Sequence, residues 1–388
     1  MSQHIFSNTP SIDSNGPSSK NQAKQKEPNE FERQTLVNLY TANRFAEAEA
    51  LAQMLIERFP KHPLAWKVLG AVLKQMGRLD EALVPMKKAI ALSPRDWQAH
   101  NNIGVALKAL GKTDEAMAAY RRAIALQPDF AEAHANLGEA LRTKGLLPDA
   151  LQCYRRKVAL TPDDQDAQFL VQLLSGEQVE RPPEAHVKGI FDHYAATFET
   201  HLVNQLSYRV PLQLGEFIAA SPLGQRQDLR VLDLGCGTGL IGDVLKPYAS
   251  ELVGVDLSPK MLEQAAHKNV YHRLVCADLD TMMRSEPSAH YDLIVAADVF
   301  VYLGQLEGVI EQAKRLLKPQ GQLYFSVESL DQPDGRYFLQ PCGRYSHALS
   351  YLNELQQAHH FDLLSCTPTA LRTDNLQPIA GHLLAWQA

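Results

Sequence analysis

A spacing of 34 residues governs the N-terminal half of this chain. Pro60, Pro94, Pro128 and Pro162 recur at that interval, as do Gly70, Gly104 and Gly138, then Gly77, Gly111 and Gly145, then Ala48, Ala82, Ala116 and Ala150. Residue types that share one such period mark a unit that buries its apolar face by stacking on copies of itself. Each unit reads as two short amphipathic helices. Gly77, Gly111 and Gly145 fall at the turn between them, the prolines fall at the unit boundary where no helix need continue, and the small residues allow close helix packing. An all-α solenoid is expected over residues 30–174, ending in a capping helix. Its first unit is degenerate, with Leu36 at the glycine position and Asn43 at the turn. Pro85 should kink its helix, and Lys157 stands where the preceding units have Ala89 and Ala123.

Residues 1–29 are rich in Ser, Asn, Gln, Pro and Lys, with too few apolar side chains to offset the entropy of ordering, so a disordered tail is expected there. The segment 175–185 begins SGEQVERPP and has the Gly, Pro and charge content of a linker. Within residues 186–388 the grammar changes. Short apolar runs (RVLDLG, ELVGVDL, RLVCADL, YDLIVAAD, GQLYFSVE, FDLLSCTP and HLLAWQ) alternate with helical stretches. Such alternation argues an α/β domain with a mostly parallel, seven-stranded sheet and helices on both faces.

The length of 388 residues suffices for two cores. A formal charge of -6 gives no global attraction to nucleic acid or to an anionic membrane. The five cysteines form no C-x-x-C pair and no metal-ligand spacing, which suits a reducing compartment and argues against a metal. No apolar run of about 18 residues occurs, and the first ten residues lack a basic segment followed by an apolar one. A cytoplasmic location away from membranes is expected.

The run Trp66-x-x-Leu69-Gly70-x-x-Leu73, with Ala82, Ala89 and Pro94, resembles the tetratricopeptide repeat, as do Gly104, Ala116, Tyr120, Ala123 and Pro128 one unit on. The resemblance implies a protein or peptide partner. Asn102 and Asn136, each two residues before a marker glycine, stand where some such superhelices carry an asparagine ladder along an extended peptide. Lys74, Lys108 and Arg142 lie four residues after the glycines. They form either a stripe suited to an acidic peptide or a solvated face.

In the second half, Val231-Leu232-Asp233-Leu234-Gly235-Cys236-Gly237-Thr238-Gly239 places an acid near the end of a buried strand and alternate glycines in the turn before a helix. In an open α/β sheet that turn is where nucleotide ligands bind, and glycine lets them approach the backbone. The run resembles the first motif of class I S-adenosylmethionine-dependent methyltransferases. That resemblance implies the methyl donor lying on Gly235, Cys236, Gly237 and Gly239, with Asp233 facing its cationic amine directly or through water. Asp256, followed by Leu257, ends the second run and can accept from both ribose hydroxyls, matching the family's ribose acid. Asp278 and Leu279 end the third and resemble the adenine clamp, though Asp278 could equally cap the following helix. Ala297 and Asp298 end the fourth, a place where these enzymes line donor and acceptor.

Upstream, Phe191 to Glu199 and Leu206 to Pro211 resemble the entry helices of predicted methyltransferases that carry tetratricopeptide repeats. Tyr194 and Phe198 would shield the sulfonium or merely pack their helix. The insertion from Gly335 to Leu352 interrupts the sheet where substrate pockets are often built. If the acceptor needs deprotonation, Tyr208, Asp298 and His347 are the candidates. The reading is a methyltransferase whose repeats recruit a protein. Two others stay open: a scaffold that senses the cofactor without robust catalysis, and an NAD-linked oxidoreductase, because Gly237, Gly239 and Gly242 also satisfy G-x-G-x-x-G. The dinucleotide reading conflicts with Asp233, whose carboxylate would repel a pyrophosphate, and with the closing pair of strands.

Overall fold

The computed structural model describes residues 27–200, 202, 206–331, 335–374 and 377–388. The expected tail lies outside the described residues up to position 26, and Asn29 caps the first helix by accepting from the Glu32 amide. The chain divides into two compact units, Met1–Val171 and Gln172–Ala388.

The first unit holds α1 (Glu30–Thr41), α2 (Phe45–Arg58), α3 (Pro63–Gln75), α4 (Leu79–Leu92), α5 (Trp97–Ala109), α6 (Thr113–Leu126), α7 (Ala131–Thr143) and α8 (Leu147–Leu160), and α9 (Gln165–Leu174) begins in it. They pair as the 34-residue period requires. Gly77, Gly111 and Gly145 sit between paired helices at φ of 75°, 75° and 74°. Asn43 takes the same role at φ 57°, a conformation that asparagine tolerates better than most residues. The other glycine set serves packing: a Cβ on Gly104 would stand 2.5 Å from the Tyr120 ring. Helix α4 runs through Pro85 as one element, and Lys157 forms an ion pair with Asp164 at 2.6 Å.

One further periodic contact seals each boundary. Six residues after each proline a side-chain nitrogen meets the proline carbonyl: Trp66 to Pro60 at 2.9 Å, His100 to Pro94 at 3.1 Å, His134 to Pro128 at 2.9 Å and Gln168 to Pro162 at 2.5 Å. The carbonyl before the next helix thereby gains a partner within the chain at the surface.

The second unit starts with α10 (Glu184–Tyr194) and α11 (Val210–Ala220). There follow β1 (Leu229–Leu234), α12 (Leu240–Leu245), β2 (Ala249–Asp256), α13 (Pro259–His267), β3 (Arg273–Cys276), α14 (Leu279–Ser285), β4 (Tyr291–Ala296), α15 (Glu307–Leu316) and β5 (Leu317–Ser329). Strands β3, β2, β1, β4 and β5 are parallel neighbours in that order. The sheet is closed by β8 (Asp362–Asp374) and β9 (Gln377–Gln387), with β9 antiparallel to both β5 and β8. A small hairpin, β6 (Tyr337–Leu339) and β7 (Tyr345–His347), adds to the end of β5 and is followed by α16 (Leu349–Ala358).

The pleat sends alternate residues to two apolar layers. Leu232, Leu234 and Ile294 join Phe325, Ile310 and Trp386 on one face. Val231, Leu293 and Val295 join Leu214, Ile218 and Leu245 on the other. Burial on both faces explains why β1 and β4 read as continuous apolar runs. The strand order reverses between β1 and β4, so the loops after them diverge and leave a crevice at their carboxyl ends. No described helix is long and apolar enough to cross a membrane.

Gly104→Ala is expected to destabilise the protein by about 1–3 kcal/mol, because the Tyr120 ring must shift to admit one methyl group. A thermal melt reads this as a lowered first transition. An unchanged melt would deny Gly104 its packing role.

Candidate active site

A cavity of about 350 Å³ occupies that crevice. Its floor is the loop after β1, where Gly235, Gly237 and Gly239 all have positive φ, at 62°, 54° and 86°. A Cβ on Gly235 would lie 2.6 Å from Val299, so the chains leaving β1 and β4 meet with no room for a side chain. Gly235, Cys236, Gly237 and Thr238 line the cavity, whereas Gly239 is the residue before α12 and does not. The cover comes from α10 and the chain after it: Phe191, Tyr194 and Phe198 line the cavity, with Phe191 edge-on to both Phe198 and Tyr302.

The acids at the strand ends have distinct duties. Asp256 accepts from the Gly237 amide at 2.9 Å with one oxygen and from the Ser258 amide at 2.8 Å with the other. Burial raises its pKa in spite of those bonds. Each carboxylate oxygen retains a lone pair, and Asp256 and Leu257 both line the cavity. Asp278 caps α14 by accepting from the Thr281 amide at 3.0 Å, and it also lines the cavity with Leu279. Burial works to raise its pKa, but the Thr281 hydrogen bonds prevail and lower it.

Asp233 departs from the expectation of a wall residue. It is fully buried beneath the loop, outside the lining, because it points off β1 toward Tyr271. The Tyr271 hydroxyl donates to its Oδ2 at 2.6 Å, while Oδ1 has no partner. Burial pushes its pKa up to about 8. Thr238 Oγ1 is likewise buried and without a partner in the same loop.

Ala297, Asp298 and Tyr208 line the cavity on the β4 side. Asp298 adopts φ 60°, a costly conformation for a non-glycine residue, and its amide donates to Ser326 Oγ at 2.8 Å. Its Oδ1 accepts from Arg344 Nη2 at 2.6 Å and lies 3.7 Å from Arg372 Nη1. Arg344 and Arg372 both donate to Glu328 Oε1, at 2.6 and 2.7 Å. Burial pushes the Tyr208 phenol well above its ordinary range. His347 is not placed as a base. It is wholly buried outside the lining, its Nε2 is 3.1 Å from the Gly304 carbonyl, its ring stacks on Tyr351, and burial lowers its pKa to about 4.

Several contributors were given no role in the reading of the sequence: Thr238, Tyr271, Glu328, Arg344 and Arg372. Thr238 carried a signal through its place in the glycine run, and Arg344 through its place in the insertion between Gly335 and Leu352. No group of His, Cys, Asp and Glu among the described residues could hold a metal ion.

The repeat residues also differ from expectation. Asn136 Nδ2 donates to the buried Asn101 at 2.9 Å, so this side chain is engaged between repeats, and Asn102 is half-buried. One acid enters the basic stripe: Glu139 pairs with Arg142 at 3.0 Å and with Lys108 at 3.7 Å. Lys74 is half-buried, and desolvation lowers its pKa.

Comparison with known proteins agrees with this division. The family described as a methyltransferase domain matches residues 232–323. Tetratricopeptide-repeat families match residues 37–96, 106–145 and 133–168. The malonyl-[acyl-carrier protein] O-methyltransferase of Halalkalibacterium halodurans is 36% identical over 154 residues, covering 38% of this chain and 54% of that protein. The ubiquinone biosynthesis O-methyltransferase of Paracidovorax citrulli is 28% identical over 124 residues, covering 30% and 50%. The chain thus spans about half the length of these relatives. Among solved structures, the 1,6-didemethyltoxoflavin-N1-methyltransferase of Burkholderia thailandensis superposes with a TM-score of 0.40 at 18% identity, covering 52% of this chain and 86% of that one. MamA from Desulfovibrio magneticus superposes with a TM-score of 0.35 at 18% identity, covering 37% and 82%. The chain joins tetratricopeptide repeats, within residues 37–168, to a methyltransferase domain that includes residues 232–323.

Proposed function

We propose that the chain is an S-adenosylmethionine-dependent methyltransferase whose repeats hold a protein, either the acceptor itself or the partner that presents it. The observation that carries the first half is Asp256, a buried carboxylate on the cavity wall whose two oxygens each hold one backbone amide and keep a lone pair for a ribose hydroxyl. The surrounding residues fit the same cofactor. Gly235 and Gly237 leave no Cβ between loop and ligand, and Asp278 with Leu279 suits an adenine. Asp233 Oδ1 and Thr238 Oγ1 are orphaned polar atoms at the loop that would hold the amino-acid end. When bound, the cofactor supplies an electrophilic methyl group on a cationic sulfur.

The chain's own part is to orient and to exclude water. Asp256 and Asp278 line the cavity as acids without a cationic side chain bonded to them, which favours a cationic ligand over a pyrophosphate. Phe191, Tyr194 and Phe198 cover it. Recruitment rests on the repeats, which as a class are protein-interaction modules.

Calorimetry on the full chain tests the cofactor site. S-adenosylmethionine should bind, and Gly235→Arg should abolish binding. Asp256→Asn should weaken it by about tenfold or more through the lost charged hydrogen bonds. NAD binding in its place would overturn the reading. Radiolabelled methyl transfer into the protein fraction of a cell extract tests recruitment, and transfer confined to small molecules that need no protein would count against it.

A pH prediction follows from Asp233. Burial raises its pKa, so between the ordinary carboxyl range and about 8 the folded state holds a proton that the unfolded state has released. Stability of the ligand-free protein therefore falls as pH rises through that window. Asp233→Asn should flatten the slope of Tm against pH, and a slope identical to the parent's would deny Asp233 this part.

A further inference from the structure

The β4 side of the cavity carries unspent proton donors. Arg344 lines it and donates from Nε to Glu328 at 2.6 Å, from Nη2 to Asp298 at 2.6 Å and from Nη1 to the Tyr302 hydroxyl at 2.8 Å. A guanidinium has five N–H groups, so about two remain. The Tyr302 oxygen accepts from Arg344, which leaves the Tyr302 proton to be donated elsewhere. The Tyr208 hydroxyl, on the same wall, has no hydrogen-bond partner among the described residues. Burial raises both phenols, so both keep their protons near neutral pH. The charges close to them cancel: Arg344 and Arg372 face Asp298 and Glu328. What the wall offers is therefore two phenolic O–H groups and about two guanidinium N–H groups for which no acceptor is seen among the described residues.

We propose that this wall is the acceptor subsite and that it takes a carboxylate, held by the Tyr208 and Tyr302 hydroxyls and the spare N–H groups of Arg344. The proposal rests on the methyltransferase reading above. An acceptor carboxylate already carries the lone pair it needs. Its oxygen forms the bond to the methyl carbon, the carbon–sulfur bond of the donor breaks, and the electron pair stays on sulfur. Carboxylate and sulfonium become a neutral methyl ester and a thioether, and no proton moves. That agrees with the wall, where no side chain among the described residues is free to act as a base. Tyr208 and Tyr302 keep their protons, Asp298 is ion-paired with Arg344, and His347 lies outside the cavity. An alcohol or an ammonium acceptor would require such a base. Asp298 would repel a carboxylate if it stood alone, and the two guanidiniums beside it offset that repulsion.

The test needs no prior identification of the acceptor. The full chain is incubated with radiolabelled S-adenosylmethionine and the protein and small-molecule fractions of a cell extract. The products are then treated with mild alkali, and volatile label is counted. Methyl esters release methanol under these conditions, whereas methyl ethers, methylamines and methyl thioethers do not. Most of the label is expected to become volatile. Alkali-stable label would overturn the carboxylate while leaving methyl transfer standing, and absence of label from both fractions would overturn both. Tyr302→Phe should raise the amount of acceptor fraction needed for half-saturation by about tenfold or more, the loss of one hydrogen bond to a charged group. Cofactor affinity by calorimetry should be retained. An unchanged acceptor requirement would remove this wall from the subsite.

Discussion

The Asp256 carboxylate ties together the parts that make the crevice. By accepting from the Gly237 amide it fixes the glycine loop after β1, and by accepting from the Ser258 amide it fixes the start of α13. Ser258 in turn caps that helix through the Met261 amide and donates to Asp192 of α10 at 2.6 Å. One buried acid therefore connects floor, neighbouring helix and cover. Its burial is costly in the absence of a ligand, as the raised pKa records. Two amides offset part of that cost, and a ligand that donates hydroxyls would offset more.

Electrostatics divides the cavity into two regions. Near the loop, acids predominate and donors are few, with Asp233 Oδ1 and Thr238 Oγ1 left unsatisfied. Near β4, guanidiniums balance the acids, and phenolic protons are left over. The first region suits a cation, and the second suits the anionic oxygen proposed above. The close approach of Gly235 to Val299 places the two regions side by side at the junction of β1 and β4.

Much of this was legible in the sequence because it is carried by local periodicity or by contiguous motifs. The 34-residue repeat announces its own helices, and Asn43 announces the degenerate turn. The glycine loop lies within one short run, and Asp256, Asp278 and Asp298 sit at the ends of apolar runs. What was not legible depends on residues brought together only by folding. Asp298, Glu328, Arg344 and Arg372 come from four separate segments, none unusual in itself. His347 stood among the candidate bases because nothing local reveals that β7 is buried along its whole length. Asn102 and Asn136 share one position in their repeats, but one step along a helix rotates a side chain by roughly 100°. Asn101 and not Asn102 therefore meets Asn136.

The most direct measurement is a crystal structure of the full chain with S-adenosylhomocysteine. The ribose hydroxyls should lie within hydrogen-bond distance of both Asp256 oxygens, with the adenine beside Asp278 and Leu279 and the amino-acid end against Gly235 to Thr238. A ligand bound elsewhere, or one in this cavity with Asp256 making no contact to the ribose, would contradict the assignment of the cavity as the methyl-donor site.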